Sequence, residues 1–428
     1  MNRFFLLLSA VTFTFCVSAQ SAREAIKANK YLSGSQYLDY ERNMSDKPLT
    51  PSPKGYEPYY MSHYGRHGSR WLISEGSYIE PLTVLRKAKE QGKLTALGEE
   101  TLRKMEAFYP TTINRLGELT TVGERQHHGI GKRMAQNFPE IFKAKNVQID
   151  ARSTVVIRCI LSMEAECEEL AAANPTARFH NDVSESLQYY LNQPWDGLVK
   201  KTGEGRQDKR DRWYQKYTKP KRLMESLFND QQWVFDNLRA GSFMRALFEI
   251  AANMQSHDTD IEFFSLFTDE EIYSLWRQNN IRWYHDYGPS PETGSIMPFS
   301  QRNLLRNIIE TADTVTRTQA TLRFGHEVCV LPLTCLLELG NSAVVVDNME
   351  ELDQHWQNYN IFPMGCNVQL VFYRPKKGKA GDILVKALLN EREVTMPVET
   401  TQYPYYKWND LRAYYLEKLA KFEEKQKE

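Results

Sequence analysis

The sequence predicts an α/β fold, in which a mixed-sheet α/β sandwich carries an inserted, mostly helical domain. Strand-like apolar segments alternate with helical patterns towards both ends of the chain. Between about residues 191 and 300 the strand patterns disappear, and Trp, Tyr, Lys and Arg become prominent. A chain of 428 residues, 41% of them hydrophobic, can also bury a large core. We therefore expect residues 20–190 and 301–428 to form the sandwich, residues 191–300 to form the insertion, and a functional cleft to lie between them.

The first part of the chain predicts one buried strand followed by several helices. An aromatic run at residues 56–64, YEPYYMSHY, lies between two glycines and is typical of a buried strand. Apolar residues such as Leu82, Leu85 and Ala88 then recur at helical spacing. The predictions are helices across 81–142, a short strand at 147–151, and a helix at 154–173 with Ser153 as its N-cap.

The last part of the chain predicts a strand, a buried helix and a hairpin. The strand pattern returns at residues 320–324, and an apolar helix is expected at 328–339. Residues 368–373 and 383–389 are predicted to pair as a hairpin around the turn at 376–379. An amphipathic helix is predicted from Trp408 to the C-terminus.

The first 19 residues resemble a secretory signal peptide. Arg3 is followed by an apolar run at 4–15 and by the small residues Val-Ser-Ala at 17–19. The run is too short to span a bilayer. A lipid anchor at Cys16 is the alternative, although Phe15 is bulkier than the residue that normally precedes a lipidated cysteine. We expect export across the inner membrane, to the periplasm or outside the cell, without stable membrane insertion.

Charge and cysteine content exclude several classes of function. The 54 basic and 54 acidic side chains cancel, so a protein that coats nucleic acid is not expected. Cleavage of the signal leaves five cysteines, an odd number, and no CxxC or His/Cys cluster predicts a zinc site. If Cys159 and Cys167 lie on one helix, their separation of eight residues corresponds to roughly 12 Å, beyond the ~7 Å limit for a disulfide. We expect buried thiols, with at most one bridge, involving Cys366.

Residues 66–70, Arg-His-Gly-Ser-Arg, carry the strongest chemical signal. They follow the predicted strand, and the carboxyl ends of strands are where open α/β sheets bind ligands. The forked guanidiniums of Arg66 and Arg70 suit phosphate oxygens. His67 between them could attack phosphorus and form a phosphohistidine, which water then hydrolyses. Surface arginines around a core histidine would give the same five letters, so the motif needs support from elsewhere.

The support comes from a second motif far along the chain. The sequence resembles the histidine acid phosphatases, whose hallmark Arg-His-Gly-x-Arg matches residues 66–70. Their second hallmark, His-Asp or His-Glu, matches His326-Glu327 between the predicted strand and helix. Further matches are Leu119-Thr120, Gly123, Gln126, Gly131, Arg152-Ser153, Arg158 and Ser162.

The resemblance implies a role for each matched residue and a sandwich of the histidine acid phosphatase type. His67 becomes the nucleophile, and Glu327 becomes the proton donor to the leaving alcohol. The implied phosphate-binding residues are Arg66, Arg70, Arg158 and His326, with Arg152 as a lower-ranked candidate. Without the resemblance, Arg158 would be read as a surface helix arginine and Glu327 as an ordinary helix-start glutamate. Neither a metal nor a cofactor is implied, because the guanidiniums would neutralise the transferring phosphoryl group.

The sequence departs from the family at three places, and its substrate stays open. Trp71-Leu72 follows the first hallmark where many members have x-Pro, and Cys159 stands where Thr is usual. The segment around His326 also resembles multiple inositol polyphosphate phosphatases, but Val328 stands where that subgroup has its glutamate.

Residues 200–222 carry ten basic and three acidic side chains, which could face a phosphate-rich ligand such as phytate or form a solvated loop. We expect a small-molecule phosphate ester as substrate, an inositol polyphosphate first. Simple sugar phosphates are the alternative, and an inactive phosphate-binding relative is the alternative from another class.

Overall fold

A mixed sheet of eight strands organises the chain. The computed structural model describes residues 21–45, 47–192 and 206–427, with the backbone alone at residues 43 and 206–210. The strand order is β3-β2-β4-β1-β5-β6-β7, and β8 pairs with β6. The strands are β1 (Tyr56–Arg66), β2 (Gln148–Ser153), β3 (Arg178–Asp182), β4 (Gln319–Gly325), β5 (Asn367–Pro375), β6 (Leu384–Leu389), β7 (Arg392–Val394) and β8 (Tyr406–Lys407).

The centre of the sheet is parallel, and one side of it is antiparallel. β4 lies between β1 and β2 and is parallel to both, with Arg66 opposite Gly325. β5 runs antiparallel to β1, and β5 and β6 form the predicted hairpin. Since β1, β2 and β4 are parallel, their carboxyl ends meet at one edge of the sheet.

Helices cover both faces of the sheet. Alternate residues of each strand point to opposite faces, so Tyr60 and Phe372 join one apolar cluster, and Met61 and Val371 join another. The helices are α1 (Ala22–Ala28), α2 (Gly76–Glu90), α3 (Ala96–Phe108), α4 (Thr121–Asn137), α5 (Pro139–Phe142), α6 (Ile157–Ala173), α7 (Gln188–Leu191), α8 (Arg206–Tyr217), α9 (Lys221–Leu227), α10 (Gln231–Asn237), α11 (Ala240–Asn253), α12 (Asp269–Tyr287), α13 (Arg302–Thr314), α14 (Glu327–Leu336), α15 (Leu352–His355) and α16 (Trp408–Lys425).

A third apolar cluster lies among helices beside the sheet. It joins Leu85 of α2 and Leu102 of α3 to Leu227, Leu247 and Trp276 from the middle of the chain. The described part of residues 191–300 contains helices and no strand. Because α2 and α3 share this cluster, the helical lobe draws on residues outside the proposed 191–300 insertion; the division into domains stays a prediction.

The predicted fold class is confirmed, and one element boundary was wrong. Ser153 does not cap a helix, because β2 continues through it, in register with Phe324 of β4. The helix α6 therefore begins only at Ile157. The five cysteines from Cys159 to Cys366 are all buried and unbridged, so the bridge considered for Cys366 is absent from the described residues.

The expected signal peptide at residues 1–19 lies outside the described residues. Across the described ranges, none of the helices is both long and apolar enough to cross a membrane.

Candidate functional site

Two parallel strand ends place the two sequence motifs side by side. His67 follows β1 directly, and its backbone N–H donates to the carbonyl of Gly325, the last residue of β4, at 3.0 Å. His326 follows β4, and the His67 and His326 ring centroids are 5.6 Å apart. The backbone N–H of Thr154, just past β2, donates to Phe324 at 3.0 Å. Residues more than 250 positions apart in sequence therefore meet at one edge of the sheet.

The turn after β1 is held against the start of α4. Gly68 donates its N–H to the Ser162 hydroxyl at 3.1 Å, and Ser69 donates its own to Gln126 Oε1 at 2.9 Å. A Cβ on Gly68 would lie 2.4 Å from the carbonyl oxygen of Gly123, which no real side chain tolerates. Both glycines are thus required by close contact between two backbone segments.

The surroundings of His67 fix its tautomer and favour its neutral form. Its Nδ1 lies 2.8 Å from the carbonyl oxygen of Gly68. A carbonyl can only accept, so Nδ1 carries the proton and Nε2 keeps a free lone pair. Burial, followed by the positive charges of Arg66 and Arg158, holds the pKa of His67 well below its usual range. Both effects favour the neutral form of the imidazole.

Three arginines near His67 each keep one buried donor without a partner among the described residues. Arg66 uses Nη1 for the carbonyls of Gln36, Phe362 and Pro363, at 2.7, 3.3 and 3.1 Å. Arg70 Nη1 donates to the Trp71 carbonyl at 2.9 Å, and Arg158 Nη1 donates to the Gly117 carbonyl at 3.2 Å. The donors left over are Arg66 Nη2, Arg70 Nε and Arg158 Nε. Buried donors normally have acceptors, so this trio indicates an anion site.

Glu327 is the acid of the site, and it is ionised in the free protein. Its Oε2 accepts from Arg66 Nε at 2.9 Å and lies 3.7 Å from His67 Nε2. Burial opposes its ionisation, but Arg66, Arg70 and His326 outweigh that effect and lower the pKa of Glu327 to about 2. A bound anion would offset the arginine charge and raise this pKa towards the range in which a carboxyl donates a proton.

His326 completes the group. Burial is the main cause that lowers its pKa to about 4; Arg158 and Arg66 add to the effect, and Glu327 opposes it. Its Nε2 lies 3.4 Å from the Thr154 hydroxyl. The thiol of Cys159, which replaces the usual family threonine, lies 3.8 Å from the same nitrogen and donates to the Gly325 carbonyl at 3.2 Å.

The structure brings together all six predicted site residues: Arg66, His67, Arg70, Arg158, His326 and Glu327. The lower-ranked Arg152 lies apart from them, because Asp150 and Asp182 engage its guanidinium at 2.6 and 2.8 Å. The catalytic roles of the six site residues remain predictions.

Sequence reasoning missed the contributions of Gln36, Tyr37 and Thr154. Gln36 supplies a carbonyl to Arg66, and the Tyr37 ring lies 5.6 Å from the Arg70 guanidinium carbon. Neither stands in a motif, since both come from the 3₁₀ helix Lys30–Tyr37, about 30 residues before the hallmark. Thr154 carried the one usable signal, because it lies directly beyond a strand that is parallel to β4.

One set of side chains has the donor types of a metal site. The candidate ligand atoms of His67, His326 and Glu327 lie within 4.8 Å of one another, and no other such group of three occurs in the described ranges. The surrounding guanidiniums of Arg66 and Arg70 would repel a divalent cation and attract an anion. The electrostatics favour phosphate at this position.

The described part of the basic segment is largely paired with carboxylates. Arg212 contacts Glu292 at 2.8 Å, and Lys221 lies 3.9 Å from Glu225. Lys216 pairs with Glu350, and Arg222 pairs with Glu271. These side chains offer little free positive charge, while the side chains of residues 200–210 lie outside the described part.

One protein-family model matches most of the chain. The family model for the histidine phosphatase superfamily, branch 2, matches residues 66–390. A search of curated protein sequences finds no match.

Solved structures share the fold at low sequence identity. The multiple inositol polyphosphate phosphatase of Bifidobacterium longum, in complex with inositol hexasulfate, is 18% identical, with a TM-score of 0.69 over 90% of this chain and 97% of that one. The phytase from D. castellii is 15% identical, with a TM-score of 0.68 over 90% of this chain and 85% of that one. The Hafnia alvei phytase in complex with tartrate is 13% identical, with a TM-score of 0.52 over 85% and 98%.

Proposed function

Because this chain belongs to branch 2 of the histidine phosphatase superfamily, we propose that it is an exported, metal-independent phosphomonoesterase that uses His67 as its nucleophile. The observation that carries the proposal is the trio of unpartnered buried donors on Arg66, Arg70 and Arg158. They lie close enough to His67 to lower its pKa, so a phosphate that they bind would lie against its ring. Membership of the family by itself supports phosphatase activity in general.

The first chemical step is in-line attack of His67 Nε2 on phosphorus. The N–P bond forms while the bond from phosphorus to the ester oxygen breaks, and the leaving alcohol takes a proton from Glu327. The guanidiniums stabilise the charge that spreads over the phosphoryl oxygens. Nδ1 keeps its proton and its hydrogen bond to Gly68, which orients the ring throughout.

The second step returns the enzyme to its starting state. Glu327, now ionised, takes a proton from a water molecule, and the water oxygen attacks the phosphohistidine. The P–N bond breaks, Nε2 regains its lone pair, and inorganic phosphate leaves. Activity requires a neutral His67 and a protonated Glu327 at the start of each turnover, so we expect a bell-shaped pH profile on the acidic side of neutral.

Inositol polyphosphates such as phytate are the substrates we propose first. The Bifidobacterium longum enzyme, which has a similar fold, was crystallised in complex with inositol hexasulfate. The D. castellii and Hafnia alvei proteins of similar fold are phytases. Hydrolysis of simple sugar phosphates is the second candidate, because the unpartnered donors of the three arginines would bind any transferred phosphate group, whatever alcohol carries it. The predicted signal at residues 1–19 supports export to the periplasm or beyond.

The test measures phosphate release from phytate and from a sugar phosphate, in chelator, at mildly acidic pH. We expect release from phytate by the mature protein and none by His67→Ala with an unchanged circular dichroism spectrum. Release from the sugar phosphate alone would replace the proposed substrate with the simpler class. Binding of both esters without release from either would favour an inactive relative.

A further inference from the structure

A cavity adjoins the phosphate-binding arginines on the side of the helical lobe. Its volume is about 410 Å³, and its wall includes Gln36 and Tyr37. The carbonyl of Gln36 accepts from Arg66, and the Tyr37 ring lies 5.6 Å from the Arg70 guanidinium carbon. None of the six site residues lines the cavity itself, so Gln36 and Tyr37 are the residues past which the alcohol part of a bound ester would have to extend to enter it.

The cavity carries both signs of charge. Arg245 and Arg282 line it, and so do Glu80 and Glu249. Arg245 donates to the hydroxyls of Thr218 at 3.3 Å and Ser242 at 3.2 Å, and its guanidinium carbon lies 4.7 Å from the Tyr214 ring centroid. No carboxylate among the described residues forms an ion pair with it.

Arg282 has a carboxylate near it, but not in close contact. Its Nε lies 3.8 Å from Asp286 Oδ2, beyond hydrogen-bonding distance. Both guanidiniums of the cavity therefore keep donors for an anionic group of a ligand.

Glu249, unlike the two arginines, favours a hydroxyl group of a ligand over a phosphate group. It accepts the Tyr37 hydroxyl at 2.7 Å through Oε1, and as a carboxylate it has further acceptor capacity. A ligand hydroxyl can donate to it, whereas a ligand phosphate would be repelled. The described wall of the cavity therefore suits a ring that carries both phosphates and free hydroxyls better than one that carries phosphate at every position, although it does not exclude the latter.

Resting on the function proposed above, we infer that the preferred substrate is a partly phosphorylated polyol. One phosphate lies between Arg66, Arg70 and Arg158, a second faces Arg245 and Arg282, and a free hydroxyl faces Glu249. The cavity then distinguishes substrates by the pattern of phosphate and hydroxyl groups on the leaving alcohol.

The experiment compares kcat/KM for myo-inositol hexakisphosphate, a myo-inositol trisphosphate and p-nitrophenyl phosphate, which has no second phosphate. We expect the wild type to prefer the trisphosphate to the hexakisphosphate, and Glu249→Gln to narrow that preference by about tenfold. The double variant Arg245→Gln/Arg282→Gln should lose at least about tenfold more on the trisphosphate than on p-nitrophenyl phosphate.

Matched controls are Arg412→Gln and Glu417→Gln, which remove exposed charges on α16 away from the cavity and should leave all three rates unchanged. The inference is overturned if the double arginine variant loses equally on the trisphosphate and p-nitrophenyl phosphate. It is also overturned if Glu249→Gln leaves the preference between the inositol phosphates unaltered.

Failure of the proposed function would look different. In that case the wild type would release phosphate from none of the three esters, p-nitrophenyl phosphate included. Calorimetric binding of the two inositol phosphates to the same variants then decides the inference: tighter binding of the trisphosphate that depends on Glu249 supports it, and equal binding contradicts it.

Discussion

Replacing Glu327 by Gln should make the rate depend strongly on the leaving group. In the free protein the pKa of Glu327 is about 2, so protonating it at pH 5 costs about 4 kcal/mol, since each pKa unit is worth about 1.4 kcal/mol. A unit negative charge about 5 Å away contributes about 3 kcal/mol at an effective dielectric constant of about 20. The two charges of a bound phosphate are therefore sufficient to let Glu327 hold a proton.

The magnitude of the effect follows from what that proton does. A positioned general acid contributes about 10²- to 10⁴-fold when the leaving group needs a proton. Glu327→Gln should thus lose about that factor on alkyl phosphates and no more than about tenfold on p-nitrophenyl phosphate, whose leaving group departs unprotonated.

The assay is a series of alkyl and substituted phenyl phosphates, with log kcat/KM plotted against the pKa of the leaving alcohol. The variant should give the steeper negative slope. Glu310→Gln, at an exposed carboxylate on α13, serves as the matched control and should follow the wild type. Parallel lines for wild type and Glu327→Gln would refute the donor role.

Three other predictions concern metal, pH and packing. Excess EDTA should leave kcat/KM for p-nitrophenyl phosphate unchanged; loss that only added divalent metal restores would refute metal independence. Burial lowers the pKa of His63 to about 3, so the unfolded chain binds more protons between about pH 3 and its ordinary pKa of about 6.5, and stability falls as pH drops through that window. Unfolding with urea gives the difference in unfolding free energy between pH 7 and pH 4, and His63→Gln should reduce this difference by about 3 kcal/mol. An unaltered difference would show that His63 does not cause the loss of stability at low pH. In Gly68→Ala the new Cβ would collide with the Gly123 carbonyl, so this variant should lower kcat/KM at least about tenfold and the unfolding free energy by about 1–3 kcal/mol. The control is Gly129→Ala, whose Cβ would meet mainly the ends of the flexible Arg133 and Glu41 side chains. It should leave both quantities unchanged.

The predictable parts of the site are the residues that directly follow predicted strands. Arg66, His67 and Arg70 follow one strand, and His326 and Glu327 follow another, so strand prediction alone places both motifs at carboxyl ends. Their meeting needed only that the two strands be parallel neighbours, as β1 and β4 are. The resemblance to a family then supplied the roles.

The parts that were not predictable depend on contacts between distant segments. Gln36 and Tyr37 reach the site from the 3₁₀ helix Lys30–Tyr37, which is interrupted at Ser35 and has no sequence motif. The charge of the cavity depends on which arginines pair with carboxylates, and tertiary packing decides that. Arg222 pairs with Glu271, whereas Arg245 contacts hydroxyls and the Tyr214 ring. Ser153 was misplaced because pairing of β2 with β4 outweighs the local preference of serine for helix caps.

Trapping the phosphohistidine would show whether the phosphoryl group is transferred to His67, as we propose. The protein would be mixed with ³²P-labelled substrate for milliseconds and quenched in alkali, where phosphohistidine survives, and the labelled peptide would be located by mass spectrometry. We expect label on His67 that appears before free phosphate and is absent in His67→Ala. Steady turnover with no protein-bound phosphate, or with label on another residue, would contradict it.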